Sequence, residues 1–210
     1  MGRLINGING PIVGKVGTVI GSSRNGKAYL KGPYDKRTAK VSKAELGNRS
    51  KFSQAQYWLK PLLKFVREGY GSYKMTSGAF VAAKSYLLLN AFEGVAPDRH
   101  INPALMKVSV GELPLSNDMA VAKTADNGLE FTWDNARVEG ASLYDQVMLL
   151  AYDVDHKKAF FKTTGQFRST GADALPVNPA PGITYHIYMA FTAADRSSRS
   201  DSVYMGTISF

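Results

Sequence analysis

The chain has 210 residues with 44% apolar content and no cysteine, so it is long enough to bury a core, and disulfide frameworks, thiol nucleophiles and cysteine-ligated metals are excluded. Its charge is lopsided: residues 1–100 hold 17 Lys and Arg against 5 Asp and Glu, residues 101–210 hold 9 against 12, and the net +9 therefore belongs to the first half. Such asymmetry marks either a polyanion-facing region or a merely soluble basic surface.

Near the start, Val13 to Tyr34 alternates apolar with small or polar residues around Arg24-Asn25-Gly26-Lys27. Asn-Gly tolerates the positive φ of a type I′ turn, so a hairpin is expected with strands near 15–23 and 27–32. Ser42-Lys43-Ala44-Glu45 fits a capping box and predicts a helix start, with Pro61 interrupting the helix and Gly69 and Gly71 ending it. A second helix is expected from a Thr76 or Ser77 cap to about Phe92.

From Ile101 onward short β-rich runs recur about every ten residues between turn formers, the pattern of an all-β sandwich. Strands are expected near 105–110, 119–124, 129–133, 146–153, 159–164, 184–192 and 202–209. The fold class is therefore read as α+β: a basic hairpin and helical region over 1–100, then a seven-stranded β-sandwich over 101–210.

Residues 179–191, Pro-Ala-Pro-Gly-Ile-Thr-Tyr-His-Ile-Tyr-Met-Ala-Phe, followed by Asp195, Ser197 and Ser198, resemble the last two strands of a fibronectin type III domain. That resemblance implies a core tryptophan, for which Trp133 stands, and a tyrosine corner at Tyr185 or Tyr188. The whole chain also resembles a bacterial family of unknown function, known mainly from Bacteroidetes. The shared features are the Gly-rich run Gly14 to Ser23, the connector Lys36-Arg37-Thr38 and the helix bearing Phe52 and Pro61. This second resemblance implies no catalytic or binding residue.

Gly21-x-x-x-x-Gly26-Lys27 spells most of a phosphate-binding loop, but Ala28 replaces its Ser or Thr and the residues after it read as strand rather than helix. Asp153, Asp155 and His156 read as a solvated turn, and His100, His156 and His186 lack metal-ligand spacing. No nucleophile elbow or acid–base constellation is present, so neither an enzyme, nor a cofactor, nor a metal is expected.

Arg24, Lys27, Lys31, Lys36, Arg37, Lys40 and Lys43, with Tyr29 and Tyr34 interleaved, form the candidate polyanion site. Cations neutralise phosphates and tyrosine rings stack on unpaired bases, so the composition suits single-stranded nucleic acid. Against that stands an adaptor or structural protein, in which the sandwich loops meet another protein or assembly. A membrane-surface helix presenting Trp58 and Phe65 is a third, weaker reading. No run is long and apolar enough for a transmembrane span and no export signal is seen at the start, so a cytoplasmic protein is expected.

Overall fold

The computed structural model describes residues 2–7, 10–24, 26–33, 38–71, 78–95, 98–124, 128–178 and 181–210. The chain divides into two compact units, 1–42 and 43–210.

In the first unit β1 (Arg3–Leu4), β2 (Ile12–Val16), β3 (Val19–Arg24) and β4 (Lys27–Lys31) form one antiparallel sheet in chain order. The expected hairpin is present, with Arg24 opposite Lys27 and Gly26 at φ 78°; Asn25 lies outside the described residues. The single strand expected over 15–23 is instead two. Val16 pairs with Val19 across Gly17-Thr18, a second two-residue turn made available by Gly17 at φ 57°. At Gly21 a Cβ would come within 2.0 Å of the Ile12 carbonyl oxygen, so only glycine lets that backbone pass.

The second unit begins with α1 (Lys43–Leu59), one residue after Ser42. Pro61 sits in a 3₁₀ turn (Lys60–Leu62) that joins α1 to α2 (Leu63–Gly69), as expected of a residue without an amide donor. α3 (Ala79–Asn90) follows with Gly78 at its N-cap; the Thr76 and Ser77 caps lie outside the described residues. A short pair, β5 (Phe92–Glu93) with β6 (His100–Ile101), leads to β7 (Ala120–Lys123), β8 (Gly128–Thr132), β9 (Gln146–Asp153), β10 (Lys158–Lys162), β11 (Ala172–Pro176), β12 (Thr184–Thr192) and β13 (Val203–Ser209).

These last seven strands form two antiparallel sheets, ordered β11-β8-β7 and β10-β9-β12-β13. Alternation along β9 and β12 sends their side chains to two different cores. Val147, Leu149, Ala151, Ile187, Met189 and Phe191 meet Leu129, Phe131 and Leu175 of the smaller sheet. Met148, Leu150, Tyr152, Tyr188 and Ala190 meet Leu59, Leu62, Phe65 and Leu87 of the helices. The helices thus share a core with the larger sheet, and the division at 42/43 does not coincide with the expected boundary at 100/101.

The Tyr152 hydroxyl donates to the Trp58 carbonyl at 2.8 Å, and the two rings meet edge-on at 5.1 Å. Trp58 and Phe65 are therefore core residues rather than a membrane-facing surface. Among the described residues no helix is long and apolar enough to cross a membrane.

Six of the seven expected strands are found within two residues of their expected ends. The strand expected at 105–110 is not formed: a 3₁₀ turn (Pro103–Leu105) is followed by irregular chain. That chain finds its partners outside any ladder. The Val110 amide donates to the Gly69 carbonyl at 3.1 Å, and the Val108 amide to the Ser202 hydroxyl at 2.9 Å. The Ser109 hydroxyl donates to the Ser200 carbonyl at 2.8 Å. β11 takes the seventh place instead; its sequence, Ala-Asp-Ala-Leu-Pro, lacks the β-branched and aromatic residues that announce a strand.

Gly69 is where α2 and this segment touch backbone to backbone, and an added Cβ would lie 2.4 Å from the Val108 carbonyl oxygen. Gly69→Ala is expected to destabilise the protein by about 1–3 kcal/mol, as overpacking does. Urea unfolding followed by circular dichroism measures it, and an unchanged midpoint would contradict the contact.

Candidate functional site

Side chains alternate along a strand, and directly paired residues share a face. The register pairs Arg24 with Lys27, Ser22 with Tyr29, and Ile20 with both Lys31 and Lys15. Lys15, Arg24, Lys27, Tyr29 and Lys31 therefore stand on one face of the β2–β4 sheet. Val16, Val19, Ala28 and Leu30 belong to the other. β4 is exposed along its whole length, with Tyr29 at 45%.

Of the nine expected polyanion-site residues, Arg24, Lys27, Tyr29 and Lys31 are thus brought together. Lys40 is exposed in the connector, and Lys43 is the first residue of α1 in the second unit. Tyr34, Lys36 and Arg37 lie outside the described residues. Lys15 joins the face without having been singled out in the sequence, because its place depends on the unexpected turn at Gly17-Thr18.

The structural division sharpens the charge asymmetry. The first 42 residues hold eight Lys and Arg against Asp35 alone, so this fifth of the chain carries +7 of the +9. Arg24 stands directly opposite Lys27, and like charges so paired are destabilising by themselves. The phosphate-loop likeness does not survive: the residues after Gly26 form β4, so no helix N-terminus follows to hold a phosphate.

The second candidate lies in the other unit. The loop between β8 and β9, the loop between β12 and β13 and the segment before β7 line a cleft of about 440 Å³, with Glu112, Ser142, Asp145, Asp195, Ser197 and Ser198 on its walls. Arg168, whose side chain is fully buried, ties the β8–β9 loop to the segment that precedes β7. Its Nη1 donates to the Ser116 hydroxyl and its Nη2 to the Pro114 carbonyl, both at 2.7 Å. Nε lies 3.6 Å from an Asp145 carboxylate oxygen, and the guanidinium stacks 4.1 Å from the Phe191 ring centroid. The Arg168 amide donates to the Asp145 carbonyl at 2.7 Å, and its carbonyl accepts from the Trp133 indole at 2.8 Å. Burial lowers the Arg168 pKa, and the facing Asp145 carboxylate opposes that shift.

Two further arginines fix the loop between β12 and β13. Arg196 donates to the Thr163 carbonyl at 2.9 Å and to Gln146 at 2.8 Å. Arg199 donates to the Glu68 carbonyl at 2.9 Å, placing a cation at the C-terminal end of α2, where the helix dipole favours one. On the rim, Asp195 accepts from the hydroxyl and the amide of Ser197, and those bonds hold its pKa below the usual carboxylate value. None of these arginines was legible as structural, since a buried Arg and an exposed one look alike in sequence.

The histidines are separate. His156 Nδ1 lies 2.8 Å from buried Asp153, which also accepts from the His156 amide at 3.0 Å, so the pair closes the β9–β10 turn. His186 Nδ1 is 2.9 Å from the Tyr204 hydroxyl, and burial lowers its pKa. Among the described residues no group of three His, Cys, Asp or Glu is placed to hold a metal ion.

Arg168→Met would leave Asp145 buried opposite an apolar side chain. The expected cost is about 3–5 kcal/mol, the usual penalty for breaking one half of a buried pair. Urea denaturation of the two proteins side by side measures it, and a loss below 1 kcal/mol would show that Arg168 does not hold the loops.

No curated protein and no solved structure matches this chain. A family model described as a family of unknown function (DUF6266) matches residues 11–206, which takes in both the basic sheet and the paired sheets with their cleft, and the chain belongs to that family.

Proposed function

We propose that this protein is a non-enzymatic adaptor whose C-terminal unit is an immunoglobulin/fibronectin-III-like sandwich presenting its loops to another protein or assembly. The fold part of this reading is supported by the order of the strands. In chain order the first, second and fifth strands form one sheet, and the third, sixth and seventh are neighbours in the other, as in such sandwiches. It is also supported by the Tyr185 hydroxyl, which donates to the Asn178 carbonyl seven residues upstream at 3.1 Å in the manner of a tyrosine corner. Trp133, packed edge-on against Phe191 at 5.8 Å, suits the core tryptophan.

The observation that carries the binding role is the cleft between two loops whose bases are clamped by buried arginines. A loop surface that is already ordered loses little entropy when a partner docks. Beside it the Tyr144 and Phe167 rings meet edge-on at 6.1 Å, with Tyr144 68% exposed. Exposed aromatic side chains are the usual anchors of protein interfaces.

The test is site-specific photo-crosslinking in cells that make the protein, from Tyr144 and Ser197 on the loops and from Leu89 on α3, which is 81% exposed. The expected result is one shared adduct from the two loop sites and none from Leu89. Equal capture from all three positions, or none from the loops, would sink the adaptor reading.

A second reading, polyanion binding by the basic face of the first unit, is favoured by the register that aligns Lys15, Arg24, Lys27 and Lys31. Four phosphate contacts on a single strand give a log–log salt slope of about −3. A flat salt dependence would count against this reading, since a protein interface built on apolar contact shows no such slope.

A further inference from the structure

We infer that the basic face of β2–β4 is a platform for single-stranded nucleic acid, in which the Tyr29 ring stacks on an unpaired base and Lys15, Arg24, Lys27 and Lys31 hold the flanking phosphates. This rests on the polyanion reading and names its ligand. Lys27 and Lys31 lie two residues to either side of Tyr29 on β4, about 7 Å along the strand in each direction. Arg24 extends the cationic row across the ladder at one end and Lys15 at the other, beyond Ile20. The residue directly opposite Tyr29 is Ser22, whose small side chain cannot cover the ring. A half-exposed aromatic ring framed by cations is the arrangement that takes bases and backbone together.

The same geometry argues against other polyanions. A duplex keeps its base faces stacked inside, so it offers phosphates to the cations but nothing to the tyrosine ring. An anionic bilayer needs cations and exposed apolar side chains on the same side, whereas the lysine face carries Val13 and a half-buried Ile20 while the more exposed Val16 and Leu30 stand with Val19 on the opposite face. An acidic peptide matches the charge but leaves the Tyr29 ring unused. The first unit supplies no counter-charge other than Asp35, so the repulsion between Arg24 and Lys27 is available to drive binding.

The experiment uses the intact protein with labelled oligothymidylate, the matching duplex and polyglutamate, followed by fluorescence anisotropy. In Tyr29→Trp the introduced indole reports on stacking, because Trp58 and Trp133 are only 6% and 5% exposed. The expected result is quenching of that emission with the same midpoint as the anisotropy change. Tyr29→Leu should weaken oligothymidylate binding about tenfold or more with the salt slope unchanged, Tyr29→Phe should bind as the unaltered protein does, and Lys27→Glu with Lys31→Glu should abolish binding. Circular dichroism checks that each variant is folded.

If Tyr29→Leu binds normally, if Tyr29→Phe fails as badly as Tyr29→Leu, or if duplex or polyglutamate binds as tightly as oligothymidylate, the stacking inference is overturned and polyanion binding survives. If nothing binds at low salt, or the charge reversals change nothing, both are overturned.

Discussion

The constraint on which the second unit depends is that β9 and β12 are buried on both faces. A strand in an ordinary two-layer arrangement needs one apolar face, but Gln146–Asp153 is apolar at nearly every position, and Thr184–Thr192 is little different. Odd and even residues of β9 therefore feed separate cores, one shared with the three-stranded sheet and one with the helices. Removing either outer layer would expose a continuous strip of leucine, methionine and tyrosine. The helical region is in this sense the third layer of the β unit, held to it by packing and by buried hydroxyls such as Tyr152 on the Trp58 carbonyl.

At the cleft end the same unit relies on polar groups, and there the energetics differ. A buried guanidinium is costly to desolvate, and each acceptor or counter-charge that meets it offsets part of that cost. Arg168 donates from Nη1 to Ser116 and from Nη2 to Pro114, while its Nε makes no hydrogen bond and faces the Asp145 carboxylate at 3.6 Å, so the contact spans three segments distant in sequence. Arg199 does the same between the β12–β13 loop and the end of α2. Apolar packing has no direction, whereas these contacts fix the loops in particular positions. The cleft is thus set by hydrogen-bonded arginines that rest on an apolar floor.

Much of the architecture was legible because it follows from local chemistry. The Arg24 to Lys27 turn needed a residue tolerant of positive φ, Pro61 could not continue a helix, and six strands carried enough apolar alternation or continuity to be seen. What was missed depends on contacts remote in sequence. The 105–110 segment has strand composition, yet its amides are taken by Gly69 and Ser202, which lie far away in the chain. β11 reads as loop because Asp173 and Pro176 dilute it, and it is held by pairing with β8. The layering of helices on the sheet had a signal that went unused: the unbroken apolar run of β9 is what burial on both faces requires. For the basic site, residue types and neighbourhood were legible, but the face was not. Lys15 could be assigned to it only once the chain was seen to reverse at Gly17-Thr18.

The two units handle charge in opposite ways. In the second, cations meet carboxylates: Lys162 lies 2.9 Å from Asp173, Arg49 lies 2.7 Å from Glu45, Lys107 pairs with Asp201, and Arg168 faces Asp145. Such pairs are neutral at a distance and serve the fold. In the first, the ladder sets Arg24 against Lys27 and places Lys15 and Lys31 on either side of Ile20. A small sheet with its strands largely exposed gains little from packing and also bears that repulsion, so its arrangement is poorly explained by stability alone. The cost becomes intelligible if the charge is completed by something outside the chain, and a multiply charged anion is the simplest chemistry that completes it.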